Sequence, residues 1–388
     1  MNVLSGARVV TPTGVIADGW VQVEAGVITA VGSGLPPGGG GGGCVDLGGA
    51  WLLPGYIDLH VHGGGGHDAS ASQADLAAAV AFHRSHGTTR TLVSLMTAPL
   101  PVLAEQLGWI ADRVALGPTP EGHVVGAHLE GPFLSPVRVG AQNPQFLQLP
   151  DRGALSGLLA AARGCLRSVT LAPELPGALE LIADIVRAGA VPAIGHTDGT
   201  YPDAEAAIQA GARLATHLFN GMRPLHHREP AVIGAALASN LACEVINDGI
   251  HVHPAITTLV AGIPERLVLI TDAIAATGVG DGDFVLGGQQ VQVRGSEARL
   301  TATGSLAGST LTMDVAVRRA VLDCGLPIEV ASAAASANPA RVLGIGDSCG
   351  AIVAGHDADL VVLDDDLRIA RIMAAGVWCD PDRAAAVL

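Results

Sequence analysis

Between residues 55 and 345 the chain alternates short apolar runs with Ala-rich amphipathic segments, and eight runs can be counted. They lie at 56–62, 89–96, 123–130, 168–174, 191–196, 214–220, 243–248 and 267–272. Runs that are apolar throughout, rather than at every second residue, mark strands covered on both faces, as in a parallel sheet wrapped by helices. Helical segments follow at 73–86, 101–116, 176–188, 202–211 and 311–324. A flavodoxin-like open sheet needs fewer strands. The pattern therefore predicts an α/β fold, a (β/α)8 TIM-like barrel spanning 55–345.

The two chain ends have a different texture. Segments 7–11, 20–24 and 27–32 show β-type alternation between Gly and Asp turns, and 350–363 and 369–378 also read as strands. They predict a small β-sandwich domain formed by both chain ends, 1–54 and 346–388. Segment 281–305 reads as a β-like insertion after the eighth strand. The Gly run 38–43 has no side chains to pack and reads as a flexible surface loop.

Composition narrows the function. The 388 residues suffice for a barrel and a small domain. With aromatics at 3%, the core must come from Ala, Val, Leu and Ile. A net charge of −15 argues against nucleic acid or an anionic membrane as partner, yet leaves room for a small anion held by local arginines. The six cysteines include no C-x-x-C pair, which fits reduced thiols in a cytoplasmic protein. Neither a signal peptide nor a membrane-length apolar stretch is read. All 21 basic residues are arginine. Without lysine, Schiff-base chemistry and a carbamylated-lysine metal bridge are excluded, so a bridging ligand must be a carboxylate.

Polar residues gather at the C-terminal ends of the predicted strands, where barrel active sites lie. The strands end in Asp58-Leu59-His60-Val61-His62, His128-Leu129-Glu130, Gly195-His196-Thr197-Asp198, Thr216-His217-Leu218-Phe219-Asn220, Asn247-Asp248 and Thr271-Asp272. Imidazoles and carboxylates converging on one mouth suit a borderline divalent ion such as Zn²⁺. The spacing His60-x-His62 puts both rings on one side of a strand. His196 and His217 can meet at a second position, with Glu130 reaching between, and Asp272 stands where a carboxylate can take a proton from water. His83, His86, His123, His226, His227, His253 and His356 read as structural histidines, and His67 stays open.

Pro54-Gly55-Tyr56-Ile57-Asp58-Leu59-His60-Val61-His62-Gly63 resembles the opening signature of the amidohydrolase superfamily. HLEGPF at 128–133, GAQNP at 140–144, THLFNGM at 216–222, REP at 228–230, DGIH at 248–251, LITDA at 269–273 and LAGS at 306–309 are similar to the N-acetylglucosamine-6-phosphate deacetylases. The resemblance implies Glu130, His196 and His217 as ligands of the principal metal and Asp272 as catalytic acid/base. Some members of the family use one metal and lack the HxH pair, and this chain, which keeps His60 and His62, has room for a second ion there. It implies a substrate site lined by Ala141, Gln142, Asn220, Gly221, Arg228, Asp248, His251, Leu306, Ala307 and Gly308. Arg228 stands at the family's phosphate-binding position, which in dimeric relatives reaches across the interface. The implied reaction is hydrolysis of N-acetylglucosamine 6-phosphate to glucosamine 6-phosphate and acetate, by a cytoplasmic homodimer. The family usually has His where Gln142 stands. A deacetylase for the galactosamine epimer and a catalytically dead barrel scaffold remain as alternatives.

Overall fold

The computed structural model describes residues 2–36, 43–119 and 121–379. The expected Gly-rich loop 38–43 lies, apart from Gly43, outside them, as do residues 380–388 of the tail. Eight parallel strands form the barrel: Tyr56–Val61, Thr88–Met96, His123–Glu130, Leu166–Leu171, Val191–Ile194, Leu214–Ala215, Ala242–Ile246 and Leu267–Ile270. Each pairs with the next in chain order. Every residue of the first, seventh and eighth is buried, including Asp58 and His60 in the first and Glu244 in the seventh, whose charges must be matched inside the barrel. The ends meet at a seam, where the Asp272 N–H donates to the His60 carbonyl at 2.8 Å and the His62 N–H to the Ala273 carbonyl at 2.9 Å. The barrel is thus closed by the residues expected to do the chemistry.

The helices follow from stripes of apolar residues. Ala178–Arg187 buries Ala178, Leu181, Ile182 and Ile185, the i, i+3, i+4, i+7 set. Burying each Leu or Ile contributes about 1.5–3 kcal/mol. Tyr201–Ala210 starts at a reciprocal capping box between Thr200 and Asp203. Five further helices, Arg152–Ala161, Ala231–Ala238, Pro254–Val260, Ile328–Ala335 and Ala337–Val342, were not separated by the sequence pattern. They span 6 to 10 residues.

Several barrel strands end before their expected limits: the first at Val61, the seventh at Ile246 and the eighth at Ile270, while the fifth and sixth, expected to reach 196 and 220, end at Ile194 and Ala215. The backbone turns left-handed at His196 (φ 47°) and His217 (φ 28°), and the ladder cannot follow. The fourth strand begins earlier than read, at Leu166, and ends at Leu171.

The chain ends pair as expected. Asn2–Thr11 lies antiparallel to Gly14–Glu24 and parallel to Cys44–Asp46 and Trp51–Pro54. Trp51–Pro54 pairs with Leu360–Leu363, which leads to Ile369–Ala374 and Val377–Cys379, while Val27–Ser33 forms the far edge. These strands make one sheet around a core that includes Leu4, Val21, Ile28, Leu52 and Leu360. The N-terminal strands begin before the point where alternation was legible, because register shifts near Ala7 interrupt the period of two. Of the run 350–363 only the last four residues are strand, and 369–378 is a hairpin turning at Ala375 and Gly376, both at positive φ. The insertion is a three-stranded antiparallel sheet, Gly282–Leu286, Gln289–Arg294 and Glu297–Leu300, sharing a small core with Ala141. No helix among the described residues is long and apolar enough to cross a membrane, and all six cysteines are free.

Candidate active site

Six side chains from five strand ends meet at the mouth, all nearly buried. Glu130 closes the third strand, and its two oxygens face opposite ways. Oε1 lies 2.9 Å from His196 Nε2 and 3.0 Å from His217 Nε2, and those two nitrogens are 3.2 Å apart. Oε2 lies 3.2 Å from His62 Nε2 and 3.6 Å from His60 Nε2, which are 3.1 Å from each other. Asp272 Oδ1 completes this second group, 3.3 Å from His62 and 3.5 Å from His60. Two groups able to hold a metal ion therefore share the Glu130 carboxylate. That bridge is the role which the absence of lysine leaves to a carboxylate.

The donor sets fit divalent ions. Tetrahedral ligands at 2.0–2.1 Å from an ion stand about 3.3–3.4 Å from one another. Five of the six edges among His60, His62, Glu130 and Asp272 measure 3.1–3.6 Å. The Glu130–His196–His217 edges, 2.9–3.2 Å, are slightly tighter. The rings are also held from behind, as ligand histidines generally are. His196 Nδ1 is 2.9 Å from the Arg138 carbonyl, and His60 Nδ1 is 3.3 Å from Glu244. His217 Nδ1 is buried without a hydrogen-bond partner.

Local backbone explains how these side chains turn inward. His196, His217 and Asp272 all sit at positive φ (47°, 28° and 49°), a conformation that costs a non-Gly residue about 1–3 kcal/mol. Gly140 and Gly221 flank the His196 ring, and a Cβ on either would come within 2.9 Å of it. The glycines of GAQNP and NGM are therefore required by close approach.

Electrostatics follow from two buried carboxylates among imidazoles. Burial disfavours charge on His60, but Asp272 and Glu130 outweigh it and hold the ring well above its ordinary value; His62 is likewise pushed up to about 9. Burial would raise Asp272, yet His60 and His62 hold it down to about 2, and Glu130 is held well below the usual range. Asp58, beneath the ligands, is pushed up to about 7 by burial, although it accepts from the Thr271 hydroxyl at 2.6 Å. His128 belongs to neither group. Burial drives its pKa well down, and its nitrogens are taken by Ser94 and Thr170.

The cluster opens into a pocket of about 330 Å³. Of the residues expected to contact substrate, Ala141, Gln142, Asn220, Gly221, His251, Leu306 and Gly308 line it. Gln142 Oε1 accepts the Thr97 N–H at 2.8 Å, which fixes the amide and turns its NH₂ away from that bond. Asp248 instead stands behind His251, 2.7 Å from its Nδ1, so the other ring nitrogen is left for the pocket. Ala307 is fully buried and does not line the pocket. Arg228 is also outside it, on an exposed stretch with its guanidinium 2.8 Å from His227.

Sequence reasoning missed Arg138 and Glu244. Arg138 lines the pocket while paired with Asp198 at 2.8 Å. The lack of lysine could have drawn attention to it. None of the histidines read as structural joins the clusters, although His226, His227 and His253 are exposed, while His67 pairs with Asp75 at 2.8 Å.

A barrel with imidazole and carboxylate ligands at its strand ends defines a class of metal-dependent hydrolases, and the chain belongs to the amidohydrolase family, whose profile matches residues 51–383. Within the family it is similar to several amino-sugar phosphate deacetylases. The chain is 38% identical over 378 residues to the N-acetylgalactosamine-6-phosphate deacetylase of Escherichia coli O157:H7, covering 97% of this chain and 98% of that protein. It is 38% identical over 348 residues to human N-acetylglucosamine-6-phosphate deacetylase, covering 86% and 85%. Among solved structures, N-acetyl-D-glucosamine-6-phosphate deacetylase from Mycobacterium smegmatis, a mutant in complex with N-acetyl-D-glucosamine-6-phosphate, superimposes with a TM-score of 0.92 at 43% identity, over 97% of this chain and 99% of that one. The Thermotoga maritima enzyme gives 0.87 at 30%, over 97% and 99%.

Proposed function

We propose that this enzyme hydrolyses the acetamide of N-acetylglucosamine 6-phosphate to glucosamine 6-phosphate and acetate. The observation that carries the reading is the single pocket in which Glu130, His62, His196, His217 and Asp272 line one wall and Gln142, Asn220 and His251 lie within reach. N-acetylgalactosamine 6-phosphate is the second reading, favoured by the E. coli relative that matches nearly the whole chain. Acetate release from both phosphorylated sugars and from plain N-acetylglucosamine decides between them. Equal rates on plain and phosphorylated sugar would defeat both.

Glu130, His196 and His217 would hold one ion and His60, His62 and Glu130 a second, with Zn²⁺ the metal that best suits these donors. When bound, such an ion activates water and polarises the amide carbonyl. Asp272 is ionised and at the pocket wall, so it enters as the base that takes the water proton and then delivers it to the departing sugar amine. His251, steadied by Asp248, offers a ring nitrogen to the sugar or the carbonyl oxygen. Gln142, its Oε1 taken by the Thr97 N–H, offers its amide N–H to the pocket.

Arg228 lies outside its own chain's pocket, which supports its service to a second copy in a homodimer. Arg228→Ala should lower kcat/KM for the phosphorylated sugar by about 10- to 150-fold, the worth of a charge-assisted Arg–phosphate bond, and barely alter the plain sugar. Mixing Arg228→Ala with Asp272→Asn subunits should then restore activity. If mixing does not, the arginine acts within one chain. The same reading makes the chain a cytoplasmic enzyme with no nucleic-acid or membrane partner. It also divides the chain into a catalytic barrel, 55–345, and a small β unit, 1–54 with 346–388.

A further inference from the structure

Glu244 lies in the middle of the seventh barrel strand and is 1% exposed. A carboxylate buried in an apolar strand costs several kcal/mol unless its oxygens are matched. Its partners are the ligands themselves. Oε2 is 3.3 Å from His60 Nδ1 and accepts the His217 N–H at 3.2 Å. The Glu244 carbonyl accepts the Leu218 N–H at 2.8 Å. The sixth strand stops at Ala215, so these two bonds continue its attachment to the seventh and hold the left-handed turn at His217. On the other side, an acceptor at His60 Nδ1 keeps that proton there. The lone pair is then left on Nε2, the nitrogen facing His62, Glu130 and Asp272.

We infer that Glu244 is a positioning residue for both ligand clusters, setting the tautomer of His60 and the backbone that presents His217. The inference rests on the reading that each cluster holds a cation. The metal-free wild type, Glu244→Gln and Glu244→Ala would each be titrated with Zn²⁺ against a chromophoric chelator, with bound ions counted by elemental analysis. Wild type should take up two ions. Glu244→Gln keeps an acceptor but loses the charge, and should hold the His60–His62 ion about 10-fold more weakly. Glu244→Ala should weaken it about 100-fold and also weaken the Glu130–His196–His217 ion. Thermal unfolding of the metal-free proteins checks folding, and if the Ala variant does not fold, the Gln variant carries the test. Unchanged affinity in Glu244→Gln overturns the inference and leaves the two-ion reading intact. A wild type that takes up one ion overturns that reading and the inference with it.

Discussion

At the closed end of the barrel, Arg90 meets Asp359 at 2.9 Å and Asp357 at 2.5 Å, and Asp359 also accepts the Ala375 N–H. Those pairs join the second barrel strand to the C-terminal segment. At the open end, Glu130 and Asp272 face four imidazoles, and ring nitrogens approach one another to 3.1–3.2 Å. Both regions bury charge, but they balance it differently. Arg90 is a permanent cation, so the closed end is complete within the chain. Imidazoles carry charge only when protonated, so the mouth can exchange protons for a metal ion. Neutralisation inside the chain gives stability, and neutralisation left to a ligand gives a binding site.

Removing the shared carboxylate tests the open end hardest. Glu130→Gln should lose most bound metal and with it the activity, because a neutral amide neither bridges nor balances the ions; elemental analysis and the acetate assay read this. Full activity after exhaustive dialysis against chelator would mean that no metal is needed. Next comes Asp272→Asn, expected to lower kcat by about 10² to 10⁴-fold with KM little changed. A raised KM at unchanged kcat would make Asp272 a binding residue.

The converse experiment is at the closed end. Arg90→Leu leaves Asp359 buried without its cation and should cost about 3–5 kcal/mol of stability in denaturant unfolding, with kcat of the folded enzyme unchanged. If instead kcat falls and stability holds, the two ends are not separable in this way.

His83 supplies the smallest effect and the cleanest contrast with His60. Both are fully buried, but His83 Nε2 donates only to the Gly63 carbonyl, and burial pushes its pKa down to about 4. In the unfolded chain a histidine titrates near 6.5, so between about 6.5 and 4 the unfolded state binds a proton that the folded state refuses. Stability is therefore lost as pH falls through that window, by at most about 3 kcal/mol from this residue. His83→Gln should remove that part of the slope, so the variant gains on the wild type between pH 7 and 4.5. Parallel stability profiles would show that His83 is protonated in the folded protein.

Much of the mouth was legible because a parallel barrel puts every strand's C-terminal end on one face. His60 and His62 could be paired from their spacing of two, and Glu130, His196, His217 and Asp272 from their place at the close of apolar runs. Glu244 was not legible, since it lies inside such a run, where only the neighbouring strand ends give a carboxylate its purpose. Arg228 read as a site residue from its motif, yet in the folded chain it lies outside the pocket. Sequence motif and spatial neighbourhood are separate properties.

By itself the sequence determined the eightfold run of apolar strands, the lack of any lysine and the residues able to ligate a metal, because periodicity and side-chain chemistry are local. Tertiary structure decided the rest: that the first and eighth strands close through His60, His62, Asp272 and Ala273, and that Glu130 divides its oxygens between two histidine pairs. It also decided that the fifth and sixth strands stop early, at left-handed turns that swing His196 and His217 inward. Such turns are disfavoured for each residue taken alone. They persist because hydrogen bonds from distant strands hold them, and those partners exist only once the barrel has closed.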